Sequence, residues 1–191
     1  NYKKIIKNID KKNFFSPLIP CYLTEQINLT DFRKALEKKI FVGAKLYPNN
    51  VTTNSEMGIN NIESIFPSLE ILEELHKPLL IHGEKADKEI DFFDREKYFI
   101  DDELILIKQK FPNLKIVLEH VSSKYGADFV NDNELMAATI TPQHLLLTKN
   151  DVFFKDSLDP HSFCMPVVKE ESDLIALRKY AISGNKKFFL G

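Results

Sequence analysis

The sequence has 191 residues, 43% of them apolar, 28% charged and 11% aromatic, which is the composition of an ordinary globular chain with material for a sizeable core. Lys plus Arg number 26 and Asp plus Glu 28, a formal net charge of -2, so there is no basic excess for nucleic acid and no block of like charge to read as a disordered tail. No apolar run reaches the ~18 residues of a membrane span. Only two cysteines occur, Cys21 and Cys164, each in an apolar segment. They read as buried thiols in a reducing compartment, with the cytoplasm as the default.

Short β-rich runs alternate with longer amphipathic ones along the chain. Asn1 to Asp10 is an amphipathic fragment around Ile5, Ile6 and Ile9, without the apolar core of a signal peptide. Phe14 to Leu23 reads as a strand and Thr30 to Lys39 as a helix with Thr30 as N-cap. Phe41 to Tyr47 is the next strand. Asn49 to Asn61 is a polar connection too long for a tight turn, the kind that tends to be functional or mobile. A helix follows over Pro67 to His76, with Leu69, Leu72 and Leu75 inward, then a strand over Pro78 to Gly83 and a long helical stretch over Phe92 to Phe111. Lys115 to Val121 is a strand and Lys124 to Val130 a helix. Leu135 to Leu147 is an apolar run broken by Pro142, and Val152 to Val168 is irregular. Ser172 to Ile182 is a helix closed by a Gly184-Asn185 turn, and Phe188 to Leu190 is a last strand.

Such alternation implies a parallel sheet wrapped in helices, either an open doubly wound sheet or a (β/α)8 barrel. With only 6 glycines, none arranged as GxGxxG or GxxxxGK, the nucleotide-binding open sheet loses weight. Five or six strands are too few for a closed barrel, which takes ~250 residues. The expectation is therefore α/β, a TIM-like (β/α)8 barrel present in part, about strands three to eight, with residues 1–191 as a single domain incomplete at both ends.

Three polar residues stand near the C-terminal ends of successive strands: Lys45 in GAKLYP, His82 in LLIHGE and His120 in VLEHVS, separated by 37 and 38 residues. One strand–helix unit each places all three on the rim where barrel active sites are built. A protonated lysine cannot ligate a metal and is costly to bury. Beside two histidines it has three sensible roles: binding an anion, forming a Schiff base, or being carbamylated by carbon dioxide. The resulting carbamate would bridge two metal ions, with neutral imidazoles as natural partners for zinc.

The segments AKLYPNNVTTNSEMGI, PLLIHGE, DFFDREKYFI, LEHVSSKYGADFV, AATITPQHLLL and PHSFCMPVVK, in this order, closely resemble the bacterial-type (class II) dihydroorotases of the amidohydrolase superfamily, from about Phe15 to Gly191. The resemblance implies a zinc-dependent, reversible cyclisation of N-carbamoyl-L-aspartate to L-dihydroorotate in pyrimidine synthesis. It implies two zinc ions bridged by an N6-carboxylysine at Lys45, with His82 and His120 as metal ligands. It also implies substrate contacts from His82, from Thr52 and Thr53 on a closing loop, and from the backbone at Met165, where the family usually has Leu. Phe41 to Tyr47, Pro78 to His82, Lys115 to His120 and Phe188 to Gly191 would be barrel strands four, five, six and eight. The expected partner is a small-molecule substrate, with neither nucleic acid nor membrane; a homodimer is left open, since the sequence does not give the oligomeric state.

Two family features have no counterpart. No His-x-His pair occurs, and the family's catalytic Asp would follow Gly191, so no catalytic acid–base residue lies within this sequence. The expectation is an internal piece of a longer protein, inactive by itself. The alternatives are a non-catalytic scaffold of the same fold or a sister cyclic amidohydrolase such as a hydantoinase. Of the remaining candidates, His144 reads as a structural hydrogen-bonding residue and His161 as ordering the loop of Met165. His76 reads as solvent-facing and Asp101-Asp102-Glu103 as a wet helix face. Glu84 is placed to support His82, while strand alternation suggests that Glu119 points away from His120.

Overall fold

The computed structural model describes residues 2–12, 14–154 and 157–191. Asn1, Asn13 and residues 155–156 lie outside them, so one end of the Asn1–Asp10 fragment and part of the Val152–Val168 segment are not described. The strands are β1 (Cys21–Tyr22), β2 (Ala44–Leu46), β3 (Leu79–His82), β4 (Ile116–Glu119), β5 (Met136–Ile140), β6 (Phe153–Phe154), β7 (Ser157–Leu158) and β8 (Phe188–Leu190). The helices are α1 (Tyr2–Ile9), α2 (Leu29–Glu37), α3 (Phe66–Glu74), α4 (Arg95–Phe99), α5 (Ile105–Lys110), α6 (Lys124–Asp132), α7 (Pro142–Leu146), α8 (Lys149–Val152) and α9 (Glu171–Ile182).

Six strands form one all-parallel sheet in the order β1-β2-β3-β4-β5-β8. Each new strand is added on the same side of the last, so the order never reverses as it does in a doubly wound sheet. Right-handed crossovers then carry the helices to one face. This is the winding of a (β/α)8 barrel over six of its strands.

Alternation along the strands sorts their side chains. Leu79, Ile81, Ile116, Leu118 and Ala138 are at most 1% exposed, packed with Leu36, Leu69, Leu72, Phe99, Leu104, Ile107 and Leu177. Each such Leu, Ile or Phe contributes ~1.5–3 kcal/mol of transfer free energy. Residues between them, Lys45, Leu80, His82, Val117 and Glu119, lie on the other face. The register shows this: Lys45 pairs with Leu80, Leu80 with Val117, and His82 with Glu119.

Several boundaries differ from the sequence expectation. The first strand shrinks to Cys21–Tyr22 because Pro17 and Pro20 have no N–H to give a ladder. The next helix is capped by Asn28, whose side chain accepts from Asp31 N at 3.0 Å, and Thr30 lies inside it. The long stretch starts at Arg95 because Asp91 accepts from Phe93 N at 2.9 Å and holds a turn. Within it, a π turn over Ile100–Leu104 joins α4 to α5. At the start of the segment expected to be irregular, α8 ends at Val152 and β6 and β7 pair antiparallel. Gly184, at φ +72, supplies the expected left-handed close after α9.

The two cysteines are both free, but the expectation of buried thiols is corrected. Cys21 is half-buried, and Cys164 is exposed because it lies on an irregular loop before Pro166 and not in a packed element. Among the described residues, no helix is long and apolar enough to cross a membrane.

Candidate functional site

The face of the sheet opposite the helices carries a row of aromatic and ionisable side chains at the C-terminal ends of β1 to β4. Tyr22 stacks on Tyr47 with ring centroids 5.5 Å apart, Tyr47 lies 5.9 Å from the His82 ring, and His82 lies 4.7 Å from the His120 ring. Lys45 completes the cluster, its Nζ 4.6 Å from the Tyr47 ring centroid. The three strand-end residues singled out by spacing thus converge on one patch, built by three consecutive strands.

Lys45 is 7% exposed and donates to the carboxylate of Glu119. Burial pushes its pKa down and Glu119 pulls it back, with burial the larger effect. A lysine whose charged form is disfavoured by burial is the kind that reacts as a free amine. His82, 2% exposed, is held by Glu84, which is fully buried, at 2.7 Å from Nε2. A carboxylate accepts only, so Nε2 carries the proton and the lone pair sits on Nδ1. The expectation that Glu84 supports His82 is met.

His120 breaks the alternation. Its φ of +43 lies in the left-handed region, so its side chain leaves the helix-facing side that strict pleating would assign. Both Glu119 and His120 therefore reach the site, which corrects the expectation for Glu119. Burial first, then the nearby His82 and Lys45, pushes the pKa of His120 down to about 2. Its Nδ1 is buried with no hydrogen-bond partner. A neutral imidazole with an unpartnered buried nitrogen suits a metal ligand.

The donor set can be tested against the expected zinc pair. Among the described residues, no group of three or more His, Cys, Asp and Glu side chains is disposed to hold a metal ion. His82 and His120 offer two nitrogens, and Lys45 becomes a donor only as a carbamate. That set fits one side of a bridged pair and is too small for two four-coordinate ions.

The remaining expected site residues sit on two loops at the same end of the sheet. Thr52, half-buried, gives its N–H to Ser55 Oγ at 3.0 Å, and Thr53 is exposed. The loop base is tied by Asn49 N to Ile59 O at 2.9 Å and Ile59 N to Tyr47 O at 2.8 Å, while Val51 and Ser55 are buried beneath it. Met165 is half-buried, and its loop is fastened by His144, whose Nε2 donates to Pro166 O at 3.0 Å. Neither threonine nor Met165 makes a described hydrogen bond to Lys45, His82 or His120. His144 also meets Thr141 Oγ1 at 2.7 Å and is 2% exposed, the structural role expected of it. The expectation for His161 is corrected: its side chain is exposed, and Asp159 orders the loop by accepting from His161 N at 3.0 Å and from Ser162 Oγ at 2.5 Å. His76 is exposed, as expected.

Sequence reasoning missed Tyr47, Thr139 and the partnership of Glu119 with Lys45. The first and last were legible in the alternation of AKLY and IVLE. Thr139, which accepts from His120 N at 2.6 Å, has no local signal.

No protein-family model matches the chain. A curated dihydroorotase of Buchnera aphidicola subsp. Acyrthosiphon pisum (strain Tuc7) is 44% identical over 190 residues, covering 98% of this chain and 54% of that protein. The crystal structure of a Campylobacter jejuni dihydroorotase superposes on all of the chain with a TM-score of 0.88 and 36% identity, covering 54% of its own length. An L-hydantoinase from Arthrobacter aurescens matches 87% of the chain and 41% of its own, with a TM-score of 0.68 at 16% identity, which is a likeness of fold alone.

Proposed function

We propose that the chain, which spans about half the length of the curated dihydroorotases it matches, belongs to the dihydroorotase family and that the protein interconverts N-carbamoyl-L-aspartate and L-dihydroorotate in pyrimidine synthesis. The observation that carries the reading is the convergence of Lys45, His82 and His120 on one buried patch at the strand ends. The hydantoinase alternative rests on the fold only, and the scaffold alternative gives no reason for a buried lysine beside a buried and a half-buried histidine.

In this reading Lys45, once converted to N6-carboxylysine, would hold zinc together with His82 and His120. Bound zinc would make water acidic enough to act as nucleophile near neutral pH and would polarise the ring carbonyl. This chain's own residues do the rest of what lies within it. Glu84 keeps the proton on His82 Nε2 and so turns the other nitrogen to the site. Burial keeps His120 neutral, and the row of Tyr22 and Tyr47 dries one wall. The loop bearing Thr52 and Thr53 closes over the substrate and adds hydroxyl hydrogen bonds, and the backbone at Met165 contacts the ring. The remaining ligands and the acid–base residue are expected outside this sequence. The proposed setting is the cytoplasm, in keeping with two free cysteines.

The test is dihydroorotate hydrolysis and formation by the intact protein, with and without a chelator, beside Lys45→Ala. Activity lost in both cases supports the reading. Activity indifferent to chelator or to the substitution overturns it.

A further inference from the structure

Glu96, in the first turn of α4, is 1% exposed, and its carboxylate is surrounded by donors from another loop. Ser122 N and Ser122 Oγ reach Oε2, each at 2.8 Å, while Ser123 N reaches Oε1 at 3.0 Å and Ser123 Oγ donates to the same oxygen. Two carboxylate oxygens have about four lone-pair sites, and here all four are used. Burying a carboxylate is costly, and burial raises its pKa against the pull of Lys169 and the four donors. Lys169, from the segment before α9, is 6% exposed with no hydrogen-bond partner for its Nζ, and it supplies the countercharge. Gly126 leaves the room: a Cβ there would stand 2.5 Å from Glu96 Oε1.

What the four bonds hold is the chain leaving β4. His120 N donates to Thr139 Oγ1 at 2.6 Å and Val121 N to Thr139 O at 2.9 Å, and Ser122 N and Ser123 N follow onto Glu96. Four consecutive backbone N–H groups are therefore anchored, two on β5 and two on α4. They begin at the one residue of the segment with positive φ, His120, and run on from it. A histidine in the left-handed region persists where its surroundings over-determine it.

We propose that Glu96 is a positioning residue: its carboxylate fastens the backbone just beyond β4 and so keeps His120 in the left-handed conformation that turns its imidazole to His82. The inference rests on the zinc-site reading above only for its consequence, metal affinity, and not for the conformation itself. A glutamine would be the same size, but half of its head is a donor, and it would set an NH2 against a backbone N–H.

The experiment uses the intact protein and Glu96→Gln, with Leu177→Ala as a variant destabilised elsewhere. Amide hydrogen exchange is followed residue by residue, and zinc affinity is measured by competition with a chromophoric chelator. The expected result is exchange at residues 120–123 faster by 10–100-fold relative to the amides of β3, with zinc bound 10–100-fold more weakly, and neither change in Leu177→Ala. Exchange at 120–123 that is unchanged, or raised no more than in Leu177→Ala, overturns the proposal. If Glu96→Gln does not fold, Ser122→Ala removes one of the four donors. Exchange of the amides at positions 122 and 123 should then rise severalfold, and no rise overturns the proposal. A wild-type protein that binds no zinc would sink the dihydroorotase reading, while the exchange contrast would still decide the role of Glu96.

Discussion

Gly126→Ala should destabilise the protein, although helix rules say the opposite. Gly126 is the third residue of α6, where alanine is ordinarily favoured by ~1 kcal/mol. Its backbone is in no need of glycine's freedom, since Gly184 is the one glycine with positive φ. The obstacle is space. The new methyl would lie 2.5 Å from Glu96 Oε1 and 2.8 Å from Val121 Cγ2, where 3.4–4 Å is ordinary contact. Glu96 would have to retreat by about 1 Å. It is pinned by both serines, and loosening one or two hydrogen bonds to a charged group costs ~1.5–3 kcal/mol each. Against the propensity gain, the net loss is ~0.5–5 kcal/mol, or a fall of ~2–4 °C in Tm for each kcal/mol at this chain length. Thermal unfolding followed by circular dichroism checks the sign, and the same substitution in a Glu96→Ala background checks the cause. There the methyl has room, so more than half of the cost should disappear. A Gly126→Ala protein that melts higher than wild type would refute the packing argument outright, and an undiminished cost in the Glu96→Ala background would move the clash to Val121.

Two further outcomes follow from other sites. Burial pushes His144 down to about 4 from 6.5, so the unfolded state takes up the proton first as pH falls. The stability present above pH 6.5 is lost between about 6.5 and 4, a loss of ~2 kcal/mol between pH 7 and pH 5. Urea unfolding at the two pH values should show His144→Gln losing less over that interval than wild type, and equal losses would argue that His144 is not the titrating group. Thr52→Ala combined with Thr53→Ala in the intact protein should lower turnover strongly and leave the far-UV spectrum and Tm nearly unchanged, because both side chains sit above the loop's buried anchors, Val51 and Ser55. Unaltered kinetics would remove these threonines from the closing loop.

The parts of the fold that were legible in the sequence are those governed by local pattern. Alternation of apolar strands with amphipathic helices predicted the parallel sheet, and the 37- and 38-residue spacing of Lys45, His82 and His120 predicted their convergence. What escaped was set by non-local groups. The left-handed turn at His120 depends on Thr139 and Glu96, 19 and about two dozen residues away, and nothing in LEHVSS announces it. Period-two reasoning was right for Glu119 relative to Val117 and wrong only in assuming that His120 obeyed the same pleat. The first strand was overestimated because Pro17 and Pro20 give the ladder no donor, and the β6–β7 pairing, made of two residue pairs, is below what periodicity can resolve.

The π turn over Ile100–Leu104 sets the phase of the helical stretch after β3. Steps of four residues in an unbroken α-helix drift by ~40° around the axis. From Glu96 through Ile100 to Leu104 the inward stripe would creep sideways, yet Ile100, Leu104 and Ile107 are all fully buried and Glu96 nearly so. One wider turn takes up that creep like a vernier, so that the end holding the β4 exit and the end packed on the sheet both face inward. Deleting a single residue from Asp101-Asp102 would let regular winding replace the wider turn while the two ends keep nearly the same relative phase, because a π turn accommodates one extra residue. The acidic run on the wet side thus carries the extra residue that the wider turn absorbs, so the end holding the β4 exit and the end packed on the sheet stay in phase across it.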